Sequence, residues 1–316
     1  MAPSVRALPA ETTPDPAPCS TLQQRIDGAP AGSVLDLSGC SYGSGATIDK
    51  PLTLRGATIR PPRGTPALVV TADDVTVHRA RLLGPDGRTY DGNTTGVSVD
   101  ASRSAPVSGL QIVESEIRDF SNCVRIRNVV SPYVARNVIE DCVYAGVMVL
   151  SAKGGTIVAN TVRRIGLSGA EANEWNAYGI TATDQGGDPV SSDVTIARNI
   201  VESVPTWHGL DTHGGVRIRF ELNIVQAARR AAFLTGGPSD IVFSGNLLVA
   251  PTSLEQAGCP AGAPIAYCQD IRALTLVGAD GALVIDNTAT GWSEPWFKDY
   301  GGDSTDVFLA KNSVVE

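Results

Sequence analysis

The sequence is poor in aromatic residues, at 5%, and in charged residues, at 18%; it holds two methionines and three histidines in 316 residues. With so few charges and aromatics, it contains no long amphipathic helix pattern. It has no apolar run of ~18 residues, so no segment reads as a membrane-spanning helix. It also lacks an excess of positive charge. The net charge of −8 excludes a nucleic-acid partner, which needs a basic face, and weighs against a polyanion unless positive charge is concentrated locally. What is abundant is glycine, 33 residues, and proline, 20. Short Val-, Ile- and Thr-rich runs alternate with Gly, Asn, Asp and Ser, the pattern of many short strands joined by turns. The best helix candidate is STLQQRID, from Ser20, where Ser20 can cap and Gln23 complete a capping box.

The six cysteines fall into three close pairs: Cys19 with Cys40, Cys123 with Cys142, and Cys259 with Cys268. None has the CxxC spacing of a zinc or redox site. Three local disulfides and an oxidising compartment are expected, with buried free thiols as the alternative. Residues 1–18 hold five prolines and no apolar signal core. They read as a disordered leader, left after removal of a signal peptide, with Met1 added for expression. Residues 19–316 read as one domain, and the expected location is secreted.

Seven fragments repeat a strand-like run ending in Asn: ARNVIEDC, VANTVRRIG, IARNIVESV, FELNIVQAA, FSGNLLVAP, VIDNTATGW and LAKNSVVE. The asparagines are Asn137, Asn160, Asn199, Asn223, Asn246, Asn287 and Asn312, separated by 23, 39, 24, 23, 41 and 25 residues. The two long separations are one period plus an insertion. A period in the low twenties built from short strands means a β-solenoid, whose coils bury their apolar faces only by stacking. The asparagines are expected to form a structural ladder.

At this point the chain resembles the right-handed parallel β-helices of the pectate-lyase type, over roughly residues 20–316. Its opening, CSTLQQRIDGAPAGSVLDLSGCSYGSGATIDKPLTLRGATI, resembles that superfamily's N-terminal cap, in which a short helix plugs the open end, and KPLTLRG matches its first-coil pattern. The expected fold is all-β, a right-handed parallel β-helix with an N-terminal helical cap. Such scaffolds carry lyases, hydrolases, epimerases and non-enzymatic adhesins, so the fold alone does not choose an activity.

Two of the three histidines lie in one segment, WHGLDTHGG, 207–215. Counting back fifteen residues from each ladder Asn aligns strands at Asn122, Ala145, His208 and Ala231, with YGITAT, 178–183, one coil below His208. One outward column then reads Arg125, Met148, Thr181, Asp211, Leu234. The next reads Arg127, Leu150, Thr183, His213, Gly236, and between them Ile126, Val149, Ala182, Thr212, Thr235 point inward. Asp211 and His213 are two residues apart and share the solvent face. His208 joins them only if the chain bends at Gly209, with Tyr178 ~4.8 Å below it. Trp175 and Trp207 lie near in sequence. Insertions at 166–177 and 184–193 are expected to overhang this wall and form a cleft.

HGLDTHGG resembles the Tyr-Gly-(Phe/Ile)-Asp-Pro-His-Asp motif of mannuronan C5-epimerases and related alginate-acting β-helix enzymes. The resemblance gives Asp211 and His213 the Asp and His roles. It puts His208 in the place of the Tyr, Thr212 in that of Pro and Gly214 in that of the last Asp; the family's lysine one coil upstream has no counterpart. Tyr178 is the candidate for the phenol. The implied reaction is C5-proton abstraction on a uronate, as epimerase or β-eliminating lyase. It needs a base of near-neutral pKa, an acid and an offset for the carboxylate charge. Arg229 and Arg230, at the start of the next coil, are candidates for that cation. Arg125, about 14 Å away at three coil spacings, suits a distal sugar subsite, and Arg127, Trp207, Trp175, Thr181, Thr183 and Asp184 complete the expected binding residues.

Glycoside hydrolysis is the alternative and needs two carboxylic groups, here Asp211 with Asp184, Asp188 or Glu174. A non-catalytic carbohydrate-binding wall, adhesin or phage tail fibre is the other. No metal is assigned: His208, Asp211 and His213 are ligand types but converge only if the strand bends. Calcium, common in lyases of this fold, is the one cation the resemblance admits, though no DxDxDG loop is present. GWSEPWFKDYGG, 291–302, gathers Trp292, Trp296, Phe297 and Tyr300, and reads as a cap on the last coils, with a sugar-stacking platform as the alternative. The expected partner is a polysaccharide or oligosaccharide, with no nucleic acid and no membrane.

Overall fold

The computed structural model describes residues 21–85, 90–166, 176–184, 187–252, 271–292 and 296–315. The leader at 1–18, Trp175, Glu174, Cys19, Cys259 and Cys268 lie outside them. Strands of three to six residues recur along the chain and pair in parallel with the coils before and after. They stack in three columns. One is an eleven-stranded sheet from Val34–Asp36 to Thr305–Ala310. A second holds Glu116–Arg118, Val138–Glu140 and Thr161–Arg163. The third holds Thr95–Asp100, Asn122–Arg127, Ala145–Leu150 and Tyr178–Thr183. The second and third columns fuse in the long strands Ile200–His213 and Ile224–Thr235, which run through the corner between them.

The core is set by alternation. In the third column Val97, Val124, Val147, Ile180, Leu210, Ala232 and Leu274 stack inward, all fully buried. Two positions on, Val99, Ile126, Val149, Ala182, Leu234 and Leu276 repeat the same row. Thr212 interrupts it, and its hydroxyl donates to the carbonyl of Ala182.

The asparagine ladder forms as expected. From Asn137 to Asn312, each side-chain amide donates to the side-chain oxygen of the next, at 2.9–3.0 Å. That same oxygen accepts the backbone N–H of the preceding ladder residue. The second amide hydrogen goes to a backbone carbonyl inside the coil, such as Val134 for Asn160. Each ladder Asn follows a residue in the left-handed region, such as Arg136, Arg198 and Leu222 (φ 55°, 55° and 56°). That backbone costs ~1 kcal/mol or more at a non-glycine residue, and the buried amide bonds offset it.

At the N-terminal end the helix Leu22–Gly28 covers the first coils with Leu22 and Ile26, both fully buried. Its cap differs from expectation: Thr21 is the N-cap and makes no side-chain bond. Gln23 instead pairs with both backbone groups of Thr47, in the strand Ala46–Ile48, because a strand at the open end offers N–H and C=O groups that a side-chain amide can satisfy. Cys123 and Cys142 form a disulfide between successive coils, as expected. Cys40 is also disulfide-bonded, but the Cys19–Cys40 and Cys259–Cys268 pairings fall on undescribed residues. Trp292 is buried and donates its indole N–H to the carbonyl of Leu248, and Trp296 and Phe297 pack on the core. Phe297–Tyr300 is itself a wall strand paired with Arg272–Val277, and Thr305–Ala310 and Ser313–Val315 follow it, so these aromatics pack within the wall and do not cover its end.

Candidate active site

The third column carries the site. Tyr178 pairs with His208, Thr181 with Asp211 and Ala182 with Thr212, so the expected register holds as far as Thr212. It fails one coil later. His208 pairs with Arg230, Asp211 with Phe233 and His213 with Thr235. Phe233, not Leu234, therefore stands outward over Asp211, and Leu234 joins the core. The cause is one extra residue in the turn that follows: His213 pairs with Thr235 but Val216 with Ser239. Upstream, the register also shifts, since Val204 pairs with Ala228 and His208 with Arg230. Pro205, Thr206 and Trp207 thus stand opposite Arg229 alone.

The bend at Gly209 is present. Leu210 is buried inward, yet His208 lies on the face of Asp211, with its Nδ1 2.7 Å from Asp211 Oδ2. Only a residue without a side chain fits there. A Cβ on Gly209 would come 2.4 Å from Val225 Cγ1 and 2.8 Å from the carbonyl oxygen of Ala231.

Asp211 is outward but not solvent-exposed; neighbouring side chains bury it completely. Thr181 donates to its Oδ1 at 2.7 Å, and His208 donates to its Oδ2. His213 Nε2 lies 3.3 Å from the same Oδ2, close enough for ion pairing but without hydrogen-bond alignment. On its far side His208 Nε2 lies 3.0 Å from an Arg230 nitrogen. Guanidinium has only donors, so Nε2 accepts and Nδ1 carries the proton given to Asp211. Burial, with Arg230 and His213, holds the His208 pKa well below its ordinary value against the pull of Asp211. Burial alone would raise the Asp211 pKa, but its contacts with His208 and His213 outweigh it and keep the carboxylate ionised.

His213 is different. Its side chain is 41% exposed. Burial opposes its protonation, yet Asp211 and then Asp184 raise its pKa above the ordinary histidine value. Because Nε2 is buried against Asp211, Nδ1 is the nitrogen that can reach a ligand. Tyr178, largely buried, stands with its ring 6.1 Å from that of His213 and 5.7 Å from that of His208. Its phenol pKa is raised, by burial first and then by Asp211 and Tyr144, so it keeps its proton.

These groups open on a cleft of about 510 Å³ that runs along the solenoid axis. Asp211, His213 and Tyr178 form one end. Thr181, Thr183 and Asp184 follow, then Met148 and Leu150, and Arg125 with Asn122 lies at the other end. Tyr144 and Tyr90 also line it, their rings 5.3 Å apart and Tyr144 5.5 Å from Tyr178. Neither tyrosine is predicted by the strand alignment, since both precede strands, where alternation does not fix side-chain direction.

Several expected binding residues are elsewhere. Arg229 is completely buried, with a guanidinium nitrogen 3.4 Å from the Thr206 carbonyl oxygen. Arg230 is behind His208, its guanidinium 4.6 Å from the Trp207 ring centre and 4.9 Å from that of Phe233. Trp207 stacks on His208 instead of lining the cleft. Arg127 is ion-paired with Asp188 at 2.6 Å and with Asp100 at 3.1 Å, which also removes Asp188 as a carboxylic acid facing Asp211. Donor atoms of His208, Asp211 and His213 lie within 4.8 Å of one another. Arg230 already occupies the Nε2 of His208, so the arrangement is a hydrogen-bonded chain and not a cation cage.

No curated protein sequence matches the chain. Among solved structures, alginate lyase from Paenibacillus sp. str. FPU-7 superposes with a TM-score of 0.59 at 14% identity, covering 94% of this chain and 96% of that one. DFA-IIIase from Arthrobacter chlorophenolicus A6, in complex with DFA-III, gives 0.61 at 13%, covering 90% and 74%. The A-module of Azotobacter vinelandii mannuronan C-5 epimerase gives 0.52 at 13%, covering 93% of each. The chain spans 61% of the length of the Dettilon tailspike protein, at 15% identity, 89% coverage of this chain and a TM-score of 0.56. At such identities the likeness is one of fold. The family model described as "Right handed beta helix region" matches residues 67–248, more than half of the chain. The chain therefore belongs to the right-handed β-helix family, all-β and parallel, the class that its resemblance implies for the solenoid read from the asparagine spacing.

Proposed function

We propose that this β-helix is a secreted carbohydrate-active enzyme that removes the C5 proton of a uronate in a polysaccharide, as an epimerase or a β-eliminating lyase. The observation that carries the reading is the asymmetry around Asp211. One histidine is buried and fixed in the neutral form, while the other leans on the same carboxylate oxygen and opens on the cleft. His213 is the base. Its Nδ1 takes the C5 proton, and Asp211, too buried to reach a substrate, stabilises the imidazolium. The electron pair moves into the uronate carboxylate, giving an enediolate. The phenols of Tyr144 and Tyr178 line the cleft as donors for that charge. Tyr178 is the acid. It protonates C5 from the opposite face in epimerisation; in elimination the O4 bond breaks to form the C4–C5 double bond, and Tyr178 protonates the departing oxygen. Arg125 holds the carboxylate of a sugar further along the cleft. The motif resemblance of HGLDTHGG and the fold shared with an alginate lyase and a mannuronan epimerase support this reading.

The test is incubation with polyuronates, neutral glycans and DFA-III. The proposal expects either ultraviolet absorbance from the new double bond or hydrogen exchange at C5 without cleavage. New reducing ends without absorbance would overturn it in favour of hydrolysis, for which Asp184 already lines the cleft. Binding without any chemistry would make the protein a carbohydrate-binding wall.

A further inference from the structure

The corner at Pro205–Trp207 explains an arrangement that the proposed reaction does not use directly. The register shift opposes these three residues to Arg229 alone. It brings Trp207 over one face of the His208 ring, 4.6 Å away and tilted by 22°, while Phe233 covers the other at 4.4 Å and 22°. The guanidinium of Arg230 seats against the same two aromatic rings and points a nitrogen at His208 Nε2. The imidazole is therefore held on both faces and at both nitrogens.

We infer that Arg230 is a positioning residue, which fixes His208 as the neutral Nδ1–H tautomer and thereby aims the Asp211 carboxylate at His213. A fully buried Asp with a single strong partner could turn about its side-chain bonds. Here Thr181 takes Oδ1 and His208 takes Oδ2, so the carboxylate plane is set and Oδ2 faces His213. The charges agree. Asp211 and His213 share a strand with His208, and Tyr178 lies on the coil below. Arg230 is on the coil above, beside Arg229, with Arg272 in register one coil further. A proton added to His208 would set a second cation 3.0 Å from Arg230 in a buried site. The network is thus a cation and an anion bridged by a neutral ring. Arg230 is 7% exposed and absent from the cleft wall, so contact with substrate does not explain it.

The inference depends on the proposed reaction only for its kinetic arm. The deciding experiment is nitrogen-15 NMR of the histidine side chains across pH in the full-length protein and in Arg230→Met and Arg230→Lys. In the unsubstituted protein His208 is expected to stay a neutral Nδ1–H tautomer between about pH 5 and 9, a window in which an ordinary histidine titrates. In Arg230→Met it should titrate there, and in Arg230→Lys it should not. With an active polyuronate, Arg230→Met should lower kcat about 10-fold with little change in KM. The acid limb of the rate profile should move to higher pH by about one unit, since removing a cation lets the network hold its proton more tightly. Arg230→Lys should return the limb. A His208 that titrates in the unsubstituted protein, or a tautomer unchanged in Arg230→Met, would overturn the inference. So would a rise in KM with kcat and the limb fixed. If no polyuronate is turned over, the spectra still decide.

Discussion

The chain builds two buried polar networks of opposite design. The asparagine ladder repeats one residue at one corner, and each member from Asn137 to Asn287 makes the same bond to the next. The network around Asp211 is made of unlike residues, joins three successive coils, and depends on a corner where the coil carries surplus residues. The ladder satisfies its buried amides, whereas the second network leaves His213 Nε2 without a hydrogen bond and ends on that partly exposed side chain. Repetition in a solenoid supports stacking. A break in the repetition places chemistry, because only there do side chains from successive coils differ enough to form acid, base and orienting group. Substitutions in the two networks should therefore separate activity from stability.

The largest effect is expected at His213. His213→Ala should lower kcat on an active polyuronate by about 1,000-fold, the range of a lost general base. Its melting temperature should stay within about 2 °C, since surface-side substitutions cost little. Asp211→Asn comes next, with kcat down about 100-fold. Because Asp211 raises the His213 pKa, its loss should move the acid limb to lower pH: the neutral, active imidazole then appears earlier as pH rises. An unmoved limb would detach Asp211 from His213.

The comparison reverses in the ladder. Asn199→Ala removes bonds to the carbonyl of Ile157, to Asn223 and to both the backbone and side chain of Asn160. It should destabilise the fold by about 3 kcal/mol, from buried groups left unpaired, while turnover per folded molecule is unchanged. Chemical denaturation paired with active-site titration would check this. Gly209→Ala sits between the two networks. Its Cβ meets Val225 and Ala231, so a loss of about 1–3 kcal/mol is expected from overpacking, with a modest fall in kcat as His208 shifts from Asp211. Equal activity and stability would show that the bend tolerates a side chain.

Much of this was legible in the sequence. The asparagine spacing alone specifies the solenoid, because a ladder must place the same residue at the same point of each coil. The pairing of Tyr178 and Thr181 beneath His208 and Asp211 follows from the strand-like run YGITAT, since an insertion in that coil breaks the count. The count failed at Arg230, since a fixed offset from the ladder assumes equal turns, and the turn from Thr235 to Ser239 holds one residue more than that from His213 to Val216. That slip turned Arg230 into a substrate contact when it is a support behind His208. Tyr90 and Tyr144 escaped notice for a related reason: turn residues have no fixed face. Burial of Asp211 was not legible either, because an outward strand position says nothing of the Trp207 and Phe233 rings stacked on its partner His208.

The most direct test of the central claim is hydrogen exchange at C5. Polyuronate incubated in deuterated water with the protein, and separately with His213→Ala, would be read by NMR of the recovered sugars and by ultraviolet absorbance. The account predicts deuterium at C5, or the unsaturated product of elimination, with the unsubstituted protein, and neither with His213→Ala although that variant still binds the polymer. Exchange or elimination undiminished in His213→Ala, or absent with every uronate offered, would contradict it.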